Sequence, residues 1–324
     1  IALGAFTATM DCLPGTPQIQ NIIPTTYFGT NLYAAPLAGI IGAIIIYGGG
    51  IFYLTHRLRH AVANGEGYGN HKINEPEHNE DMTYVNWKLA VIPLLAVLII
   101  NFVITECVVW DPDILTPFQQ MKGIPLVAAK LKNVVSIWAL IISLVVGIVL
   151  ALIVGKREIK SVDGLTKILN AGAIGSLLAI MNTASEVGYG NVISQLPGFA
   201  DVAHFLINIH IGGTPLVSEA ISVTVLAGIT GSASGGMSIA LELMSQDWLT
   251  WAQSIGMGPE ILHRVASMAS GGLDTLPHNG AVITLLAVCG LSHRESYKDI
   301  FAITLMKTFA VFVIILIYSV TGLH

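Results

Sequence analysis

The stretch Val134–Val154 contains no charged residue, and about 20 consecutive apolar residues are enough to cross the hydrocarbon core of a bilayer. In hydrocarbon every backbone polar group must find its partner inside the protein, which leaves helices and closed barrels as spanning structures. A run of this length without apolar/polar alternation reads as a helix. Leu32–Leu54, Val85–Val109 and Ile300–Val320 read the same way, with Lys88 close enough to one end to snorkel. Leu165–Met181 is shorter and rich in glycine. Only 11% of the 324 residues are charged and 53% are hydrophobic, whereas a soluble domain carries about 25% charged residues. The sequence therefore predicts an all-α polytopic membrane protein, placed in the inner (cell) membrane.

Several functions are set aside by the same reading. A net charge of −5 supplies no basic footprint for nucleic acid. Cys12, Cys107 and Cys289 show no paired spacing, so they read as buried thiols rather than metal ligands or disulfides. No His-Glu-x-x-His or Gly-x-Ser-x-Gly motif points to an enzyme. No cofactor and no metal are expected. His56, His60, His71 and His78 fall in a polar stretch read as a solvated cytoplasmic loop, residues 56–84. The opening Ile1-Ala2-Leu3-Gly4 reads as a chain entered within a hydrophobic segment, hence as N-terminally truncated.

Three apolar regions are interrupted. Thr214–Met244 is broken at Thr230-Gly231-Ser232-Ala233-Ser234-Gly235-Gly236, and Ile261–Cys289 at Ser270–Gly280. A similar break lies at Asp11–Pro17. Basic residues gather at Arg57/Arg59, at Lys156/Arg157/Lys160 and at Arg294/Lys298. If all three clusters face the cytoplasm, Thr214–Met244 has to enter and leave on the outside as a re-entrant hairpin. The two remaining breaks then run in opposite senses. Both carry Asp-x-Leu-Pro, as Asp11-Cys12-Leu13-Pro14 and as Asp274-Thr275-Leu276-Pro277. Matching Gly/Pro interruptions in segments of opposite sense point to an inverted-repeat transporter with its site at the midplane. The expected divisions are a first broken helix (1–31), scaffold helices (32–155) and the start of a second repeat (156–213). A re-entrant hairpin (214–247), a second broken helix (259–291) and a final scaffold helix (299–322) complete the chain.

Unwound backbone at membrane depth is tolerated only where it lines protein or a watery cavity, and the start of a half-helix offers unpaired N–H groups suited to a carboxylate. No Arg or Lys lies in either Asp-bearing break, so backbone dipoles, hydroxyls and amides are expected to meet the substrate. The candidate groups are Thr16, Gln18 and Asn21 in the first break and Thr275, His278 and Asn279 in the second. At the hairpin tip they are Thr230, Gly231, Ser232, Ser234 and Gly235. Gly231-x-x-x-Gly235 equally fits a helix-packing seam. Asp11 and Asp274 are expensive at membrane depth, about 2.5–3.5 kcal/mol each on insertion scales. They are candidates for taking up and releasing the coupling proton; a sodium ligand, a half-helix cap, or both roles together remain open. His278 can share that proton, bind substrate or serve the fold. Glu219 and Glu242 flank the hairpin tip as lesser candidates.

Through Leu13-Pro14-Gly15-Thr16-Pro17, Gly231-Ser232-Ala233 and His278-Asn279, the chain resembles the gluconate:proton symporter family of the ion-transporter superfamily. It looks closest to the branch of permeases for short hydroxy acids such as 3-hydroxybutyrate. The resemblance implies two inverted repeats, each with one re-entrant hairpin and one broken helix. It implies a transport domain that moves against a scaffold domain, the scaffold forming a homodimer. It also implies that the hairpin of the first repeat is missing from this chain. Proton-coupled movement of a small organic acid follows as the expected function, with sodium coupling or exchange as the other transport reading.

Overall fold

The computed structural model describes residues 2–5, 7–67, 86–111, 113–114, 132–156, 159, 162–209, 211 and 213–323. His71, His78, Arg157 and Lys160 of the readings above lie outside the described residues. Among those described, every regular element is helical. The elements are α1 (Ala2–Ala5), α2 (Ala8–Asp11), α3 (Ile19–Phe28), α4 (Pro36–Ala63), α5 (Trp87–Ala90) and α6 (Ile92–Phe102). A π-turn at Val103–Cys107 follows, and then α7 (Lys132–Val154), α8 (Val162–Ser194) and α9 (Pro197–Ile207). The last five are α10 (Leu216–Thr230), α11 (Ala233–Ser254), α12 (Pro259–Ser270), α13 (Gly280–Cys289) and α14 (His293–Thr321). By length and composition, four described helices can cross a membrane: α4, Trp87–Cys107, the Ile137–Val154 part of α7, and α14.

The chain divides into two units. One comprises residues 78–185. Its apolar helices α6 and α7 pack side by side, and a methyl group at Gly147 would stand 2.5 Å from Val97 Cγ2, so a small residue is required there. Much of the remaining surface is large and apolar, including Leu94, Ile99, Trp138, Val145 and Ile153. Water would penalise such a surface and hydrocarbon would not.

The other unit comprises residues 1–77 and 186–324 and holds the three interrupted regions. Its core is built from α3, α4, α10, α11, α12 and α14, with Leu226, Met237, Leu241, Trp248, Leu262 and Val265 fully enclosed. α10 and α11 form a helical hairpin whose turn is only Gly231-Ser232. Gly231 adopts φ +65, a left-handed backbone that a side chain disfavours. Ser232 then caps α11 by accepting from Gly235 N at 3.0 Å. The arms touch at Gly236, where a Cβ would lie 2.1 Å from Ala227 N. The close approach is made by Gly236, whereas Gly231 of the expected Gly231-x-x-x-Gly235 seam lies in the turn and faces His278. α12 and α13 are the two halves of the second broken helix, separated by residues 271–279.

Some element ends differ from those read in the sequence. α4 continues past Leu54 to Ala63, a stretch that holds neither Gly nor Pro, and takes His56 and His60 out of the loop. Their rings stack edge-on at 4.6 Å, one turn apart. α8 extends to Ser194, just short of the stop at Pro197, well beyond Met181. Of the three thiols only Cys12 is buried; Cys107 is exposed on the π-turn.

Candidate functional site

The two Asp-x-Leu-Pro breaks meet. Asp11 ends α2 and is 1% exposed. Its carboxylate presses on the chain where α12 ends: a Cβ at Gly271 would lie 1.8 Å from Asp11 Oδ2. Ser267 Oγ, one turn earlier on α12, donates to Asp11 O at 2.8 Å and ties the first break to the second. Among the described residues, neither carboxylate oxygen of Asp11 has a hydrogen-bond partner. The charged groups that act on it through space are Lys307 and Asp274.

Asp274 lies in the second break and pairs with Lys307 of α14, Nζ to Oδ1 2.9 Å, with side-chain exposures of 6% and 1%. Sequence reasoning missed Lys307. No Arg or Lys belongs to either break, yet a cation reaches the site from a helix that reads as plain scaffold. The signal was present, because a lone lysine inside an apolar span marks function by default. The three groups make a buried cluster of two carboxylates and one ammonium, so one negative charge is left over when all are ionised.

Around the second break most polar groups are committed to the hairpin tip or to neighbouring helices. His278 Nε2–H donates to Gly228 O at 2.9 Å, since a carbonyl can only accept. The same ring fills the space a Cβ at Gly231 would need, 2.8 Å from His278 Cδ2. Asn279 Nδ2 donates to Gly231 O. Asn279 Oδ1 accepts from Ala281 N at 2.7 Å and Val282 N at 3.1 Å, which caps α13. Thr275 Oγ1 is bonded to Thr304 Oγ1, and Thr275 O accepts from Tyr297 OH at 3.2 Å. At the tip, Thr230 Oγ1 donates to Leu226 O at 2.8 Å, and Ser234 Oγ lies 3.4 Å from Ser232 Oγ. The tip and the second break are stapled together.

The first break is organised differently. Asn21 is fully buried and uses its whole bonding capacity. Its Nδ2 donates to Thr16 O at 3.0 Å and Leu32 O at 2.9 Å, and its Oδ1 accepts from His263 Nε2 at 3.0 Å and Arg264 Nη1 at 3.2 Å. Arg264, itself 0% exposed, also donates to Ala34 O at 2.8 Å, and Thr30 Oγ1 donates to His263 Nδ1 at 2.6 Å. Two further charged or titratable side chains, His263 and Arg264, therefore occupy the region without having been read from the sequence. Both sit inside an apolar helical stretch where their types alone are informative. Gln18 is exposed at the start of α3, and Thr16 is 9% exposed beside Asn21.

Two other features complete the unit. A cavity of about 280 Å³ lies beside α13 and α14, lined by Leu54, Leu286, Leu291, Asp299 and Ile303 among others and by none of the predicted substrate residues. At its rim Asp299 Oδ1 accepts from Arg57 Nε at 2.9 Å and Tyr53 OH at 2.7 Å, clasping α14 to α4. Glu242 accepts from Tyr27 OH at 2.9 Å on the exposed side of α11.

Apolar helices, an interrupted-helix core and ionisable groups buried within it define a polytopic membrane protein of the transporter class. The whole chain aligns at 48% identity over 332 residues with a Bacillus subtilis (strain 168) protein named uncharacterized transporter YxjC, of which it covers 69%. The chain belongs to that transporter's family. No family model matches it, and no solved structure matches it.

Proposed function

We propose that this protein is a secondary transporter of small organic carboxylates in the cell (inner) membrane, driven by protons, with Asp11, Asp274 and Lys307 at its centre. The observation that carries the reading is the unpartnered Asp11 carboxylate buried against Gly271, beside the Asp274–Lys307 pair. With all three groups charged, the cluster is one unit negative and repels an incoming anion. A proton on Asp11 removes that charge and lets a substrate carboxylate approach Lys307. Proton and anion then bind together more easily than either alone, which is the condition for symport. The broken helices favour a midplane location: α12 has 12 residues and α13 has 10, so the halves together span about 33 Å at about 1.5 Å per residue. That is close to the hydrocarbon thickness, with the break near its middle.

The substrate class comes from the resemblance to the gluconate:proton symporter family and its short hydroxy-acid branch. A hydroxy acid offers a carboxylate for Lys307 and a hydroxyl for the amides and hydroxyls of the breaks, for which Thr16, Gln18, Thr275, His278, Asn279 and the Thr230–Gly235 tip are the candidates. A homodimer formed through the scaffold helices belongs to the same reading. Sodium coupling or exchange is the second transport reading, since carboxylates and hydroxyls also suit a hard cation.

The test is uptake of labelled 3-hydroxybutyrate and gluconate into proteoliposomes holding the full-length transporter. Accumulation driven by an inward proton gradient, without sodium, is the expected result. Accumulation that follows sodium at fixed pH moves the coupling to the second reading. No uptake of either acid under any gradient removes the carboxylate reading.

A further inference from the structure

A second buried carboxylate lies outside this cluster. Glu219 sits in the first turn of α10 and is 0% exposed, and among the described residues neither of its oxygens has a hydrogen-bond partner. Ser222, one turn along the same helix face, is likewise 0% exposed with its hydroxyl unpartnered. Three orphaned oxygens thus collect on one stripe of a helix that packs against α9, α11, α12 and α14.

The described charged residues of those neighbours are engaged or directed elsewhere. His263 and Arg264 of α12 bind Asn21 and the first break. Lys307 of α14 binds Asp274, Arg57 meets Asp299 at the far part of α14, and Glu242 of α11 takes Tyr27. Asp247 of α11 and Asp201 of α9 are exposed, and Glu260 of α12 is half-buried. Even the adjacent Ser218 is occupied, donating to Leu206 O and accepting from Trp248 Nε1. No ion pair among the described residues includes Glu219. An isolated ionised carboxylate in a dry interior is far too costly to persist, so the group must be neutralised. Among the described residues no cation pairs with it, and the neutralising charge is then drawn from solution.

We propose that Glu219 and Ser222 form a monovalent-cation site in the first arm of the hairpin, separate from Asp11–Asp274–Lys307. A bound alkali ion takes the carboxylate and hydroxyl oxygens as ligands; a bound proton resides on the carboxylate. In either form the site lies in a hairpin whose tip is stapled to the second break by His278 and Asn279. Occupancy at Glu219 is therefore built into the element that contacts the transport site. A transporter that carries one cation at Asp11 and another at Glu219 with a singly charged anion moves net positive charge, and its flux responds to membrane potential.

The site stands apart from the carboxylate reading and is tested without any transported substrate. Thermal unfolding of the purified full-length transporter is followed in sodium, potassium or choline chloride at equal ionic strength and fixed pH, and then across pH in choline chloride alone. A ligand that binds only the folded state raises the unfolding temperature with its concentration. The expected result is a stabilisation by sodium, potassium or acid in the parent protein, whose half-maximal concentration moves by about tenfold or more in Glu219→Gln. In the sodium and potassium arms Asp11→Asn is expected to retain that stabilisation. If Glu219→Gln does not fold, Ser222→Ala takes its place; it removes one oxygen ligand while leaving the carboxylate, and the same direction of shift is expected. Superimposable titrations of the parent and the variant in all arms overturn the proposal.

Discussion

Lys307 on the last helix and Asp274 in the second break form an ion pair of 2.9 Å with both side chains buried. Burying two ions is expensive, and a pair like this contributes little net stability against an apolar replacement, whereas removing one partner strands the other. Lys307→Met alone is therefore expected to destabilise the protein by about 3–5 kcal/mol. The double replacement Lys307→Met with Asp274→Leu recovers most of that loss while abolishing transport. Thermal unfolding in detergent reads the first effect and uptake the second. Equal destabilisation in the single and double variants would mean that the two side chains do not interact in the folded protein.

Asp11 behaves in the opposite sense. Its carboxylate has no partner to strand, so Asp11→Asn removes a buried charge and keeps the shape. Stability is expected to stay level or to rise, because the amide carries no charge that has to be desolvated. Proton-driven accumulation is expected to vanish while substrate exchange persists, since a neutral amide mimics a carboxyl that never releases its proton. A variant that still accumulates substrate against a proton gradient takes Asp11 out of the coupling role.

The helical, membrane-spanning character of the chain was legible in its apolar runs, because long uncharged stretches admit few other solutions. The interruptions at the two Asp-x-Leu-Pro stretches were legible too, because Pro14, Gly15 and Pro17 in one and Gly271, Gly272 and Pro277 in the other crowd several helix-breaking residues into a few positions. Which side chains would meet was not. Lys307 lies 33 positions from Asp274 and belongs to a helix whose pattern announces only a span. Arg264 and Asn21 are 243 positions apart, and nothing local in either segment foretells that one amide will gather a histidine, an arginine and two carbonyls. Glu219 appeared as a minor candidate because exposure cannot be read from type; only the packing of four helices around α10 makes its isolation visible. The sequence carries chemistry and periodicity, and long-range pairing arises from the three-dimensional arrangement.

The contact between the breaks can be probed at Gly271. An added methyl there meets Asp11 Oδ2 at 1.8 Å, so the buried carboxylate itself has to be displaced. Gly271→Ala is expected to destabilise by about 1–3 kcal/mol, the range for overpacking a filled interior, and to suppress uptake. Gly280→Ala, where nothing lies within 4 Å of the new methyl, serves as the control and should leave both unchanged. Matching behaviour in the two variants would show that Asp11 and Gly271 do not touch.

Asn21 separates a binding role from a structural one. All four of its hydrogen bonds go to the protein. Asn21→Ala leaves the Thr16 and Leu32 carbonyls each without the amide's bond and removes an acceptor from His263 and from Arg264. At about 1–3 kcal/mol for a buried group left unsatisfied, the variant should unfold at clearly lower temperature. Whatever fraction stays folded should bind substrate with nearly the parent's KM. Thr16 is the contrasting case, since it is the Thr16 carbonyl that Asn21 holds, while the side chain remains a candidate for the substrate hydroxyl. Thr16→Val should raise KM several-fold, with any loss of stability held to the scale of one hydrogen bond, about 0.5–1.5 kcal/mol. Uptake kinetics and thermal unfolding measured on the same two preparations decide the matter. A raised KM with normal stability in Asn21→Ala would return that residue to the substrate site.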